Sequence, residues 1–314
     1  MNLQTEILLE KQSNNLIDYN SNILLLGSCF VENIGDKLSY FKFQSFQNPF
    51  GILFQPKAIE TLISKAINQK EYTEEDIFFY NEQWHCFETH SKISNTSKAE
   101  LLKQLNQQLN LTALQLNNST HIIITLGTAW VYRFLESNKL VANCHKVPQK
   151  QFRKELLSVD AILESLQNSI ALIRSVNSKA SIIFTVSPVR HVKDGFIENT
   201  QGKAHLISAI HKISNHQLIY FPSYEIMMDE LRDYRFYAED MLHPNQTAIN
   251  YIWEKFQDVW ISNETFKIMD AVAAVQKGLQ HKAFNPNSEA HKKFLQNLEE
   301  KKKQLQAQFQ HIAF

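Results

Sequence analysis

Residues 23–35 read ILLLGSCFVENIG, and this stretch decides the fold. Four consecutive apolar residues run into Gly27 and Ser28, after which apolar side chains recur at helical spacing. An unbroken apolar run that ends at a turn is typical of a strand buried on both faces of a parallel sheet. Glycine permits a tight turn, so that a helix can begin directly afterwards. We therefore expect Ser28 at the carboxyl end of a central strand and at the amino end of a helix.

Ser28 has two interpretations in that position. The simpler one is a helix N-cap, a role that serine often fills. The other is a nucleophile, because open α/β sheets bind their ligands at the carboxyl ends of the strands. The free N–H groups and the positive dipole end of a helix can stabilise a developing negative charge there. This stretch alone leaves both interpretations open.

Three further apolar runs have the same character. They are HIIIT at 121–125, SIIFTVS at 181–187 and QLIYF at 217–221. Helical apolar spacing is predicted over residues 56–69, 99–116, 156–176, 204–214 and 246–260. Strands separated by helices of roughly 15 residues indicate a parallel sheet with helices on both faces. We also expect a short strand within residues 1–20 and an irregular loop over residues 191–201.

Two segments predict antiparallel hairpins, added at the sheet edge or over its active face. Residues 76–90, DIFFYNEQWHCFETH, turn at 81–83. Residues 130–148, WVYRFLESNKLVANCHKVP, turn near 137–138. Residues 41–47, FKFQSFQ, alternate apolar and polar side chains, which predicts one more strand.

Composition and charge exclude several classes of protein. The 32 Lys and Arg residues balance the 32 Asp and Glu residues, so the basic footprint of a nucleic-acid binder is missing. Three cysteines are too few and too scattered for a disulfide framework or a zinc cluster. No apolar run approaches the ~18 residues of a membrane span. The first residues do not resemble a secretory signal, so we expect a cytoplasmic protein.

The character of the chain changes after residue 262. Residues 1–262 are predicted to form one α/β domain, and residues 263–314 a C-terminal helical extension rich in charge. Phe294, Leu298 and Leu305 give this extension a thin apolar stripe. We expect it to pack on the domain or on a partner, such as a second copy in a homo-oligomer. Its charge run is interpreted as a solvated face.

The second stretch that bears on function is DMLHPN at residues 240–245. Pro244 suits the first position of the following helix and keeps His243 in an extended conformation. Asp240 can then accept a hydrogen bond from Nδ1 of His243, which leaves Nε2 free to take a proton from a serine. The alternative is that Asp240 caps the loop and His243 is a surface residue. The early Ser28 and the late position of this motif, before the last helix of the sheet, favour the catalytic interpretation.

This combination resembles the SGNH/GDSL hydrolases, and its motifs resemble most closely those of the GSCFA family within that group. The pieces that carry the resemblance are GSCFVENIG at 27–35, NPFG at 48–51, LGTAWVY at 126–132, NCHKVP at 143–148, VSPVRH at 186–191, YFPSYEI at 220–226 and DYRFYAEDMLHPN at 233–245. The resemblance spans about residues 20–260. It implies a three-layer α/β/α sandwich with a mostly parallel, flavodoxin-like sheet. It also implies Ser28 as nucleophile, His243 as base and Asp240 as the acid that orients His243.

The resemblance further implies an oxyanion hole, and here the sequence departs from the SGNH pattern. Those enzymes use the N–H of the serine, a glycine N–H and an asparagine side chain from a G-x-N-D block. Ser28 and Gly51 match the first two, but residues 127–130 read GTAW, with alanine in place of asparagine. Removing one such donor costs on the order of 3 kcal/mol of transition-state stabilisation. Side chains that can replace it are Thr128, Trp130, Asn48 and Asn143.

The sequence therefore predicts a serine esterase or deacylase that acts on a small acyl ester. An acyl group attached to a carbohydrate is one such substrate. The predicted reaction needs neither cofactor nor metal. Asn143 and His145 are expected to contact the substrate, together with Asn48 and Trp130. Arg190 is expected either to bind an anionic substrate or to form a structural salt bridge. An acyl transferase with the same triad is an alternative. So is a catalytically weak module that binds an acylated ligand in the same cleft, because the G-x-N-D block is altered.

Overall fold

The computed structural model describes residues 5–213 and 218–314. Its strands are, in chain order, β1 (Asn22–Gly27), β2 (Gln44–Gln47), β3 (Phe78–Tyr80), β4 (Gln83–His85), β5 (His121–Leu126), β6 (Trp130–Phe134), β7 (Lys139–Val141), β8 (Phe152–Leu156), β9 (Ser181–Val186) and β10 (Leu218–Phe221). Its α-helices are α1 (Cys29–Tyr40), α2 (Pro56–Ile67), α3 (Lys98–Asn118), α4 (Val159–Val176), α5 (Phe196–Ile213), the short α6 (Ser223–Glu225), α7 (Gln246–Trp260), α8 (Thr265–Gln280) and α9 (Glu289–Gln308). A π-helical turn over Ile226–Glu230 follows α6.

The main sheet has five parallel strands in the order β10-β9-β5-β1-β2. Alternate side chains of each strand enter opposite cores. Leu24 and Ile124 pack with helices α2 to α5, whereas Leu25 and Ile123 pack with α1, α7, α8 and α9. The predicted α/β architecture, a parallel sheet between two layers of helices, is thus confirmed.

The order of the strands puts β1 at the point where the chain changes direction across the sheet. From β1 the chain passes through α1 to β2 at one edge, and then crosses to β5 on the other side of β1. Ligands of doubly wound folds bind at the carboxyl ends of the strands at such a switch point. Ser28, which follows β1 directly, lies there.

Several local predictions are confirmed and others are wrong. Both hairpins form, as β3–β4 and β6–β7. The second also pairs with β8, which the sequence did not predict, and α4 consequently starts at Val159, after its cap Ser158. The strand expected within 1–20 is wrong for residues 5–20, where Ile17 forms only an isolated bridge to Ile261. Gln217 and Ser214, predicted as ends of a strand and a helix, lie outside the described residues.

The loop expected over 191–201 is the largest error, because helix α5 begins at Phe196. Phe196 and Ile197 are exposed to solvent, so the apolar residues in the first turn of α5 do not lie on its buried face. The polar Asn199 and Lys203 are buried there instead.

The C-terminal extension packs against the sheet domain. Met269, Val272 and Val275 of α8 join Leu298 and Leu305 of α9 in the core that also contains α1 and α7. The apolar stripe predicted for α9 is therefore partly buried in this core. In the described parts of the chain, no helix combines the length and apolarity that crossing a bilayer requires.

Gly27 is required by the close approach of β1 and β5. Its φ is +137°, and a Cβ at this position would overlap the carbonyl oxygen of Thr125. We expect Gly27→Ala to lower the free energy of unfolding by about 2 kcal/mol or more, since overpacking and backbone strain add. Urea denaturation followed by circular dichroism measures this. Gly35→Ala is the matched control, because its Cβ would meet only the far end of the Gln47 side chain. Equal stability of the two variants would contradict the prediction.

Candidate active site

Ser28 caps helix α1. Its φ and ψ of −71° and 172° are extended, and its Oγ accepts a hydrogen bond from the N–H of Phe30 at 3.4 Å. Its own N–H donates to the carbonyl oxygen of Thr125 at 3.0 Å. The residue is fully buried. Ser28 thus fills the N-cap role that the sequence left open beside the nucleophile.

Asp240 and His243 form a pair in the loop before α7. Nδ1 of His243 lies 2.6 Å from Oδ2 of Asp240. Oδ1 of Asp240 accepts the N–H groups of Leu242 and His243, at 2.9 and 3.0 Å. The backbone N–H of His243 contributes most to lowering the pKa of Asp240 to about 2, so this carboxylate stays ionised. An ionised carboxylate on Nδ1 fixes the tautomer that leaves Nε2 able to accept a proton.

The loop that carries this pair lies at the carboxyl ends of the strands, as Ser28 does. The N–H of Arg190, just beyond β9, donates to the carbonyl oxygen of Leu242 at 3.4 Å. A bridge between Tyr237 and Pro244 closes the loop on itself. No hydrogen bond joins Ser28 to His243 within the described residues.

The backbone donors predicted for the oxyanion are engaged elsewhere in this structure. The N–H of Gly51 donates to the carbonyl oxygen of Asn48 at 2.8 Å, closing a turn. Thr128 was predicted as a side-chain donor; its Oγ accepts the N–H of Trp130, and its own backbone N–H donates to the carbonyl oxygen of Phe54 at 3.1 Å. The N–H of Ser28 is held by Thr125.

Asn48 lies directly beside the serine turn. Its Oδ1 accepts the N–H of Gly27 at 2.9 Å, and its own N–H donates to the carbonyl oxygen of Leu25 at 2.9 Å. The bond from Gly27 fixes the side-chain amide, whose Nδ2 is buried and has no hydrogen-bond partner in the part of the chain that the structure describes. Asn48 therefore presents an unused donor next to Ser28.

The other predicted contact residues differ in what they are free to do. His145 is 3% exposed and its Nε2 contacts the carbonyl oxygen of Cys86 at 2.7 Å, which ties it into the hairpin region. Burial lowers the pKa of His145 to about 4. Asn143 accepts the N–H of His145 at 2.8 Å, and the indole N–H of Trp130 donates to the carbonyl oxygen of Glu198. These hydrogen bonds hold the three side chains in place within the protein. That they contact a substrate stays a prediction.

Asp240, Met241 and Leu242 form part of the lining of a groove of about 610 Å³, whose described lining residues do not include Ser28 or His243. Arg190 lies in its wall, with one guanidinium nitrogen 3.4 Å from the sulfur of Met228. Within the described chain Arg190 forms no ion pair. The apolar side chains around the groove include three that are exposed, namely Phe196, Tyr234 and Met241. Such a surface suits the apolar part of a small acyl compound together with a polar or anionic group.

Two residues that the sequence did not single out for the site are His191 and Lys203. Lys203 of α5 is fully enclosed, and its Nζ donates to the carbonyl oxygen of Ser187 at 2.7 Å, just beyond β9. Burial lowers the pKa of Lys203 to about 7. Nε2 of His191 is buried and has no hydrogen-bond partner within residues 5–213 and 218–314. Lys203 lies before the predicted start of its helix, which in the structure begins at Phe196. His191 ends the VSPVRH motif, so the sequence places it after β9 at the ligand end of the sheet, but assigns it no role.

No cluster of three or more His, Cys, Asp or Glu side chains in the described ranges is arranged to hold a metal ion.

The sequence profile of the GSCFA family matches residues 22–256, and that of the GSCFA domain protein, C-terminal domain, matches residues 272–314. The first match covers most of the chain, so the chain belongs to the GSCFA family. No curated protein matches its sequence.

The hydrogen bonds to Asp240 predict how its carboxyl group titrates. Because its folded pKa is below the ordinary value of about 3.9, the stabilisation from these bonds is complete above that value and is lost as the pH falls towards about 2. Carbon-13 NMR of the side-chain carboxyl should therefore show a midpoint near 2. In His243→Ala the backbone donors remain, so we expect the pKa to rise only part of the way. A wild-type midpoint at or above the ordinary value would contradict the geometry.

Proposed function

We propose that the protein is a serine esterase or deacylase, with Ser28 as nucleophile, His243 as base and Asp240 as the acid that orients His243. The observation that carries this proposal is the 2.6 Å contact between Nδ1 of His243 and Oδ2 of Asp240, at the sheet edge where Ser28 begins helix α1. A carboxylate–imidazole pair and a serine at a helix N-terminus are the parts that acyl transfer requires. Placement of the family among the SGNH hydrolases is part of the same proposal.

The proposed reaction proceeds in two steps, acylation of Ser28 and hydrolysis of the acyl-serine. Oγ of Ser28 attacks the ester carbonyl carbon while its proton passes to Nε2 of His243, and the carbonyl electron pair moves onto oxygen. The tetrahedral intermediate collapses, and the alcohol leaves with the proton from His243. Water then attacks the acyl-serine, gives a proton to His243, and releases the carboxylic acid as Ser28 regains its proton. Asp240 stays ionised throughout and stabilises the imidazolium.

The proposed substrate is a small acyl ester, with an acylated carbohydrate as one form. The groove beside Asp240 supports a compound of this size, because exposed aromatic and methionine side chains surround it next to Arg190. Acyl transfer to another alcohol instead of water would use the same three residues. In that case the acceptor, rather than the triad, would distinguish transferase from hydrolase.

A second candidate is a module that binds an acylated ligand without turning it over. The observation that favours it is that Ser28 is fully buried and has no hydrogen bond to His243 among the described residues. Recovery of a bound acyl ester chemically unchanged would support this candidate.

Active-site labelling with a fluorophosphonate separates the two, since such probes react with serines activated by a base. We expect one adduct, mapped to Ser28 by mass spectrometry, and none in Ser28→Ala. Labelling of His243→Ala should be slower by at least about 10²-fold, because its proton acceptor is lost. Ser187→Ala is the matched control, since Ser187 is a buried serine that follows β9 as Ser28 follows β1, and it should be labelled like wild type.

Two results would count against the esterase. Folded wild-type protein that forms no adduct would favour the binding module. An adduct that persists in Ser28→Ala would place the nucleophile elsewhere. If Ser28 is labelled, product analysis with and without an added alcohol distinguishes hydrolysis from transfer.

A further inference from the structure

Among the described residues, two buried nitrogens on the segments that follow β2 and β9 have no hydrogen-bond partner, namely Nδ2 of Asn48 and Nε2 of His191. Nearly all buried polar atoms in proteins are paired, so an unpaired one calls for a physical explanation. Two such atoms at the carboxyl edge of the sheet, beside a proposed nucleophile, suggest that both serve something that binds there.

Asn48 is fixed on the β2 side of the serine turn. Its Oδ1 accepts the N–H of Gly27, the residue before Ser28, so the amide cannot rotate without breaking that bond. With Oδ1 held in this way, Nδ2 is the end of the amide that remains to donate. The φ of Asn48 is 40°, a left-handed conformation that asparagine and aspartate adopt more readily than most residues.

His191 lies on the opposite side, over the end of β5. A Cβ on Gly127 would come within 3.0 Å of its Nε2, so the ring occupies space that the missing side chain leaves free. The ring packs against Phe54, and the backbone N–H of His191 donates to Oδ1 of Asn199 at 2.8 Å. β5 is paired directly with β1, with Thr125 opposite Gly27. Gly127 and Ser28 therefore leave neighbouring strands at nearly the same level.

His191 is held in its neutral form. Burial contributes most to lowering the pKa of His191 to about 3, and the nearby Lys203 lowers it further. A neutral imidazole carries one N–H, and it donates when the proton is on the nitrogen that faces the acceptor. A neutral histidine can act as an electrophile in this way at the carbonyl oxygen of a substrate.

We propose that Asn48 Nδ2 and His191 Nε2 together form the oxyanion hole for Ser28. This inference rests on the proposed esterase function and replaces the expected N–H donors of Ser28 and Gly51, which already donate to Thr125 and Asn48. His191 would supply the donor that the asparagine of the G-x-N-D block supplies in SGNH enzymes and that Ala129 cannot supply here. As Ser28 attacks, the carbonyl electron pair moves onto oxygen, and both nitrogens donate to that oxygen without transferring a proton.

The test compares variants that remove one donor each. Asn48→Asp keeps an oxygen that can accept the N–H of Gly27 and replaces the amide nitrogen with a second carboxylate oxygen, which cannot donate when ionised. His191→Leu loses the N–H, whereas His191→Gln places an amide nitrogen the same number of bonds from Cα as Nε2. Asn81→Asp is the control, because Asn81 is a left-handed asparagine in the remote β3–β4 turn.

We expect kcat on a p-nitrophenyl acyl ester to fall by about 10²–10³-fold in Asn48→Asp and in His191→Leu, with KM changing much less. His191→Gln should recover most of that loss, which a merely structural role would not allow. Asn81→Asp should match wild type. Fluorophosphonate labelling of Ser28 should slow in the same order, because the phosphonyl oxygen occupies the same position.

The two proposals fail in different ways. If Ser28 of the wild type is labelled and hydrolyses the ester, but folded Asn48→Asp and His191→Leu retain wild-type kcat, this oxyanion assignment is wrong and the esterase stands. Equal losses in His191→Leu and His191→Gln, with thermal unfolding unchanged, would also overturn the role of His191. If the wild type is neither labelled nor active, the esterase proposal fails, and the oxyanion assignment fails with it.

Discussion

The structure depends on the close pairing of β1 with β5, which ends where Gly27 lies against Thr125. Because the glycine has no side chain, the two strands stay paired up to the turn, and the N–H of Ser28 can donate to Thr125. Ser28 then has the extended conformation that starts helix α1. One steric constraint therefore sets the position of the serine relative to the sheet, the helix and the turn at Asn48.

The proposed chemistry depends on which polar groups around Ser28 remain free to bind a substrate. The Asp240–His243 pair is held by its own loop and is half exposed, whereas Ser28 is buried. The N–H groups of Ser28 and Gly51 already donate to backbone carbonyl oxygens, whereas Nδ2 of Asn48 and Nε2 of His191 have no hydrogen-bond partner among the described residues. An oxyanion hole made from side chains is consistent with both observations, and it agrees with the alanine at position 129.

Much of the fold could be predicted from local patterns, because buried parallel strands are short apolar runs and their helices are amphipathic. The strands around residues 23, 121 and 181 and the helix Gln246–Trp260 are examples. The start of helix α5 could not be predicted, since its exposed Phe196 and buried Lys203 invert the usual pattern. The contact of Asp240 with His243 was predictable because it is local in sequence. The positions of Asn48, His191 and Gly127 around Ser28 come from distant segments, and only the folded chain brings them together.

The most direct test of this account is a crystal structure of the protein after reaction with a fluorophosphonate. We predict a phosphonyl group on Oγ of Ser28, with its oxygen about 2.7–3.1 Å from both Nδ2 of Asn48 and Nε2 of His191. Nε2 of His243 should lie within hydrogen-bonding distance of Oγ. A phosphonyl oxygen that points to solvent, or that is bound by the N–H groups of Ser28 and Gly51, would contradict the account.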